Sequence, residues 1–207
     1  MIKPPGVGGV AFTDFSDGDT RSDAAARRRV SANLGISESW STVTQVHGAD
    51  VIRVIRPGNA GEADALWTTE PGMPIAVFTA DCFGVTVTAP HAIGVAHAGW
   101  RGVRKGSVEA LRQAMLDAGH EPRQGFVGPG IARCCFEVGP EVSEQFATHL
   151  SKTSWGTTSV DLIASITEQL SGMTVWSAGS CTRHDDRWFS HRRDQTLSRM
   201  ASIGWLE

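Results

Sequence analysis

Residues 74–98 read PIAVFTADCFGVTVTAPHAIGVAHA. Within this stretch Pro74–Ala80, Gly84–Ala89 and Ala92–Ala96 are short runs of β-branched and small apolar residues, interrupted by Asp81-Cys82 and by Pro90-His91. Runs of this length, bounded by turn-forming residues, are strand signals. Nothing helical separates them, so the chain passes from strand to strand directly. Two more runs of the same kind lie upstream, at Ser41–His47 and Val51–Arg56. Several consecutive strands before any intervening helix argue against a regular doubly wound sheet. The expectation is an α+β fold, with mixed β-sheets flanked by helices in one domain spanning residues 1–207.

The flanks fill in the remaining elements. Val7–Thr13 reads as a first strand. Ser22–Leu34 reads as a helix with a Ser/Asp start, Ala26, Val30 and Leu34 on one face, and Gly35 as its stop. Ser107–Ala118 is a second helix, with Val108, Leu111, Met115 and Ala118 on one side and Gly119 behind it. Gly125–Val127 predicts a strand. Pro140 suits the first position of a helix running to about Leu150. Asp161 can cap another, ended by Gly172, and Thr174–Ser177 and Met200–Leu206 predict closing strands. No repeat, linker or low-complexity tract divides the chain.

Bulk properties restrict the function classes. A formal net charge of −3, with mixed signs and no long like-charged block, gives no reason to expect nucleic acid or an anionic membrane as partner. No stretch approaches the roughly 20 apolar residues of a membrane helix, and the start Met1-Ile2-Lys3-Pro4-Pro5 carries no signal-like apolar run. The four cysteines, Cys82, Cys134, Cys135 and Cys181, then read as thiols or ligands and not as a disulfide framework, with the cytoplasm as the expected compartment. The chain has seven Trp and no Tyr; no functional reading attaches to that.

Three segments end an apolar strand with a reactive side chain followed by turn residues: Gln45-Val46-His47-Gly48, Thr79-Ala80-Asp81-Cys82, and Val95-Ala96-His97-Ala98-Gly99-Trp100-Arg101-Gly102. Strand ends hold side chains in fixed directions, which a metal or catalytic site needs. Two imidazoles and a thiolate form a borderline-soft set suited to zinc, with a fourth position left open for water or substrate. The spacing is too wide for a compact structural zinc module. Taken alone it favours histidines satisfied by backbone groups and a buried apolar thiol at Cys82 over a metal site. Gly128–Gly139, containing Arg133, Cys134 and Cys135, is a second candidate, its thiols either ligands or small core residues beside a glycine-rich pocket wall. The basic segment His191-Arg192-Arg193-Asp194, with Arg199 beyond it, suits phosphate or carboxylate binding or else forms a solvated edge.

Taken together these blocks resemble a known family. Gln-Val-His-Gly at 45–48, Ala-Asp-Ala-Leu at 63–66, Thr-Ala-Asp-Cys at 79–82, Ala-His-Ala-Gly-Trp-Arg-Gly at 96–102, Gly-Pro-Gly-Ile at 128–131, Cys-Cys-Phe-Glu-Val at 134–138 and Arg-Arg-Asp at 192–194 occur in one order. The chain is similar to the laccase-domain family, described as purine nucleoside phosphorylases and formerly as multicopper polyphenol oxidases. The likeness runs from about residue 41 to the C-terminus. It implies zinc held by His47, Cys82 and His97, and phosphorolysis of adenosine, inosine and methylthioadenosine, with adenosine deamination as a side activity. Purine nucleosides and phosphate are then the partners, and a monomer or weak homodimer the expected state.

Copper is the alternative ion. The oxidase label fits poorly, because two histidines and one cysteine cannot supply both a blue-copper site and a separate multinuclear cluster. For the reaction, Arg101 is a candidate anion holder, Asp81 a candidate proton donor or base, and Arg133, Arg192 and Arg193 candidate substrate contacts. Two departures stand out. The stretch Thr13–Gly18 lacks the arginine and paired glycines that family members carry after the first strand, and Gln195 and Ser198 replace glycines near the basic motif. If the arginine of that stretch helps hold phosphate in the family, its loss bears on phosphorolysis here and not on zinc binding. The same residues also permit two rivals. One is a cysteine amidase or hydrolase acting on a cell-wall precursor, with Cys82 activated by His97 or His47. The other is a non-catalytic zinc-binding module closed by Cys134 or Cys135.

Overall fold

The computed structural model describes residues 1–207. The chain runs β1 (Val10–Phe12), α1 (Ala24–Leu34), β2 (Ser41–Thr44), β3 (Val51–Arg53), β4 (Gly58–Glu62), β5 (Ala65–Thr68), β6 (Ile75–Thr79), β7 (Phe83–Ala89) and β8 (Ala92–Ala98). It continues with α2 (Trp100–Arg104), α3 (Ser107–Asp117), β9 (Gln124–Val127), α4 (Pro140–Ser143), β10 (Leu150–Lys152) and β11 (Thr158–Val160). Last come α5 (Leu162–Gln169), β12 (Thr174–Ser177), α6 (His191–Asp194) and β13 (Met200–Gly204).

Two mixed sheets result, one ordered β1-β13-β6-β2-β4 and the other β12-β9-β7-β8-β5-β3, with β10 and β11 forming a separate hairpin. The first sheet packs through β6 and β13 onto β7 and β8 of the second. Strand periodicity explains the layering, since alternate residues face opposite sides. In β6, Ile75 and Val77 point into the core between the sheets, with Ile93 and Val95 of β8 opposite. Ala76 and Phe78 face the other way, toward Val30 of α1 and Trp40 just before β2. From β8, Ala92 and Ala96 face Leu111 and Met115 of α3. Strands buried on both faces read as near-continuous apolar runs, as Ile75–Phe78 and Ala92–Ala96 do, whereas β7 alternates Val85 and Val87 with Thr86 and Thr88.

Two glycines set the layer spacing. A side chain at Gly84 would overlap Ser202 of the facing sheet, and one at Gly94 would lie 2.8 Å from Leu111 Cδ1 in α3. The α+β expectation with mixed sheets therefore holds, and no helix is long and apolar enough to cross a membrane.

Several boundaries differ from the sequence reading. The first helix starts at Ala24, capped by the Asp23 side chain, and ends at Gly35 with φ 71. The helix expected over 140–150 is broken: α4 gives way to a 3-10 segment, Glu144–His149, distorted at Phe146, and Leu150 already belongs to β10. Phe146 is buried in the main core, so packing overrides local helical preference there. The strands β4, β5, β10 and β11 were not expected. The sequence Gly-Asn-Ala-Gly-Glu of β4 is exposed throughout and strand-like only through its pairing with β2.

Candidate metal centre

The centre forms where the chain passes between the two sheets. Leaving β2 in the first sheet for β3 in the second, it goes through His47. Leaving β6 for β7, it goes through Asp81 and Cys82, while His97 lies near the end of β8. Residues at a crossing are free of the sheet ladder and can take unusual backbone angles. His47 (φ 60) and Asp81 (φ 88) do so, in the left-handed region that costs an ordinary residue energy and persists only where surroundings hold it.

The ligating atoms of His47, Cys82 and His97 lie within 4.8 Å of one another, and the two imidazole rings meet edge to face with centroids 4.8 Å apart. His97 is buried, Cys82 partly exposed and His47 exposed, so the cluster opens to solvent on one side. Gly99 makes room for it: a methyl group there would sit 2.8 Å from Cys82 Sγ and 3.2 Å from His47 Cδ2. The donor set, its spacing and its open side fit a catalytic-type zinc ion, for which His47, Cys82 and His97 would be the ligands.

Asp64, from the Ala-Asp-Ala-Leu block, supports this cluster from behind. Its carboxylate lies 2.7 Å from His97 Nδ1, which leaves Nε2 of that ring for the centre. The same carboxylate accepts the backbone N–H groups of Val46 (3.1 Å), His47 (3.0 Å) and Gly48 (2.5 Å). One buried side chain thereby fixes one ligand ring and the backbone of another. Gln45 anchors the same turn, its amide exchanging two 2.8 Å hydrogen bonds with the backbone of Phe78 in the manner of a strand residue.

Electrostatics follow from this packing. Burial alone would raise the Asp64 carboxyl, but the His97 hydrogen bond and charge and the N–H groups of Gly48 and Val46 bring it down to about 2. Withdrawal from water would raise the Cys82 thiol, yet the charge of His97 and hydrogen bonds from His47 and His97 lower it to about 6. Burial would lower His97, and it is outweighed by the Cys82 thiolate and by Asp64, which raise it to about 9. Without metal the site thus stores a thiolate–imidazolium pair near neutral pH.

Two cavities meet at His47, Cys82 and His191. One, of about 510 Å³, is polar and basic, lined by Arg21, Arg27, Gln45, Asn59 and Arg199 among others. The other, of about 210 Å³, is walled by Trp100, Ile131, Phe136 and Leu162, with Arg101 and Arg192 at its edge. Arg101 stacks on Trp100 at 4.3 Å from the ring centroid, and Arg192 lies over Phe136 at 5.7 Å.

The remaining expected residues are placed as follows. Asp81 also lines the smaller cavity, but its carboxylate accepts three hydrogen bonds, from Thr182 Oγ1 (2.7 Å), Ser190 Oγ (2.7 Å) and the Arg192 backbone N–H (2.6 Å). Arg193 donates to the carbonyls of Thr182 and Trp188 and to Asp194, and Arg133 lies 3.6 Å from Asp161; neither lines the two cavities. Sequence reasoning missed Asp64 and Gln45 as site residues, although both lie in quoted blocks. It also missed Arg21, three residues beyond the stretch that lacks an arginine.

The sandwich and the open two-histidine, one-cysteine cluster at its crossing define an α+β protein with a metal-capable centre. The particular family follows from comparison: a model of the multi-copper polyphenol oxidoreductase laccase family matches residues 11–207, and the chain belongs to that family. Among curated relatives, a purine nucleoside phosphorylase of Deinococcus radiodurans is 37% identical over 95% of this chain and 82% of that protein. One of Streptomyces griseus is 35% identical over 91% of this chain and 83% of its own length. The solved structure of YlmD from Geobacillus stearothermophilus superposes with a TM-score of 0.83 at 28% identity, covering 97% of this chain and 89% of the other.

Proposed function

We propose that this protein is a zinc-dependent purine nucleoside phosphorylase, acting on adenosine, inosine or methylthioadenosine. The observation that carries the reading is the position of the cluster, at the junction of a basic cavity and an aromatic-walled one. Phosphorolysis needs an anion and a purine brought to opposite sides of one ribose. Relatives that carry the name purine nucleoside phosphorylase match this chain over most of their length.

In this reading the basic cavity takes phosphate. Arg21 and Arg199 face it together, and part of the lowering of Arg199, after burial, comes from the charge of Arg21. Two like charges held close are relieved by an anion between them. Arg21 would do the work of the arginine missing from residues 13–18. The purine packs against Trp100 and Phe136, where the stacked guanidinium groups of Arg101 and Arg192 present hydrogen-bond donors to it. The base is a planar, polarisable group, and such walls hold it at low entropic cost. Zinc bound by His47, Cys82 and His97 would supply positive charge at the junction, which favours a bound anion.

Asp81 acts by position in this scheme. With three hydrogen bonds from its own chain, it holds Arg192 and the Thr182 and Ser190 segments against Cys82. Zinc is favoured over copper by the donor set, which lacks the additional histidines a multicopper oxidase needs.

One observation favours a second reading. The Cys82 thiol lowered to about 6 beside a raised His97 is the pairing of a cysteine nucleophile and its base. Chelation separates the two. The phosphorylase reading expects about one zinc per chain and phosphate-dependent release of base from inosine or adenosine, both lost on chelation and in Cys82→Ala, and restored to the wild-type protein by zinc. Turnover that resists chelator but ends on alkylation with iodoacetamide would overturn it in favour of the thiol hydrolase.

A further inference from the structure

A second group of thiols lies outside this site. Cys134 and Cys135 follow β9 in the loop 128–136, and Cys181 follows β12. These strands are parallel neighbours, and their loops continue side by side through a bridge between Gly130 and Cys181. The three sulfurs lie within 4.8 Å of one another, and those of Cys134 and Cys135 are 3.6 Å apart. A turn closed by the N–H groups of Cys135 and Phe136 on the Ala132 carbonyl (2.9 and 3.0 Å) sets both thiols on one side. No disulfide joins any of them.

We propose that Cys134, Cys135 and Cys181 form a second metal site, for a soft thiophilic ion such as Cu(I), Zn(II) or Cd(II). Four considerations carry it. Metal–sulfur bonds of about 2.3 Å place the sulfurs of a tetrahedral centre about 3.8 Å apart, so the cluster needs only small side-chain adjustments to close on an ion. Three thiolates are the soft donor set that selects such ions over magnesium or calcium. Cys134 and Cys181 are partly exposed, which gives an ion a way in, while buried Cys135 backs the site. Arg183, whose guanidinium stacks on Trp155 at 4.7 Å, also acts on the Cys135 thiol, and its charge would offset part of the excess that three thiolates leave around a mono- or divalent cation.

Burial and the neighbouring sulfurs push the Cys134 thiol up to about 12, so without an ion it stays protonated and binding must release protons. A bound ion would staple the two loops together. Both reach the catalytic region: Ile131 donates its N–H to the Asp81 carbonyl (2.7 Å), and Thr182, next to Cys181, donates to the Asp81 carboxylate. The expected consequence of loading is a higher melting temperature that depends on metal concentration.

The test uses the full chain carrying Cys82→Ala, which removes the first centre, titrated with Cd(II) alone under reducing conditions. Thiolate-to-cadmium charge-transfer absorption and native mass spectrometry report binding. One cadmium per chain is expected, with the intensity of three thiolates, and the melting temperature should rise. Adding Cys134→Ser or Cys181→Ser should lower the intensity by a third or abolish binding, with the far-ultraviolet circular dichroism unchanged. Should the Cys181→Ser protein fail to fold, the partly exposed Cys134→Ser position carries the test. Absorption unaffected by Cys134→Ser, or no bound cadmium in the Cys82→Ala chain, overturns the proposal. So does a metal-free chain lighter by two hydrogens under the same reducing conditions, since that is a disulfide.

Discussion

Asp64 grips His97 twice: its carboxylate lies 2.7 Å from His97 Nδ1, and its backbone carbonyl accepts the His97 N–H at 2.7 Å. Asp64 is fully buried, and the same carboxylate takes the N–H groups of residues 46–48. The orientation of both histidines of the centre therefore depends on one side chain that touches neither cavity. Partners of this kind fix the tautomer of a ligand imidazole and raise its basicity. Asp64→Asn should weaken zinc binding by about 10–100-fold, read by competition with a chromophoric chelator. Asp64→Ala should also lower stability, by about 1–3 kcal/mol for each N–H left unpaired, read by urea unfolding.

The same carboxyl sets an acid limit. Its folded value is lowered from 3.8 to about 2, so its contribution is fully present above about pH 4 and lost as pH falls through 2. Urea midpoints of wild type and Asp64→Asn should stay a constant distance apart from neutral pH down to about pH 4, then converge below it. Convergence already near neutrality would show that Asp64 is not held ionised by these contacts.

Gly99 isolates the geometry of the centre from the rest of the fold. Its φ of −75 and ψ of 163 suit alanine, yet the added methyl group would press on Cys82 Sγ and His47 Cδ2. Gly99→Ala should keep a cooperative thermal transition while its zinc content and turnover fall together. Full zinc content would mean that the cluster relaxes around the methyl group.

Alkylation reports the charge state of Cys82. In metal-stripped protein the rate of carbamidomethylation at Cys82 should rise through about pH 6 and level off near neutrality. A free cysteine rises through about pH 8.5 instead. Zinc should suppress the reaction, and peptide mapping identifies the modified residue.

Arg21 and Arg199 carry the anion assignment. Hydrogen bonds to charged groups contribute about 1.5–3 kcal/mol, so Arg21→Ala or Arg199→Ala should raise the KM for phosphate about 10–150-fold. The KM for the nucleoside should change little. Equal effects on both would place these arginines at the nucleoside instead.

Much of this protein is written locally in its sequence. The capped ends of α1 and α5 follow from Asp23 and Asp161, whose side chains accept the N–H groups of Ala25 and Ala164. The stop at Gly35 and the consecutive strands of residues 74–98 follow from neighbours within a few positions, because backbone propensity and strand periodicity are short-range. The three reactive side chains at strand ends were visible for the same reason, as were the motif blocks around them. Tertiary structure decided the rest. The polar stretch 58–62 becomes a strand only because β2 supplies hydrogen bonds, and the helix after Pro140 breaks because Phe146 is drawn into the core. Of the arginines, Arg193 is consumed by carbonyls of its own loop while Arg21 reaches the basic cavity. Asp64 meets His97 across 33 positions because β5 and β8 pair antiparallel, with Ala65 opposite Ala96. Residue type shows which groups can bond, but which of them meet depends on strand order and register, and these are set by burial of the whole chain at once.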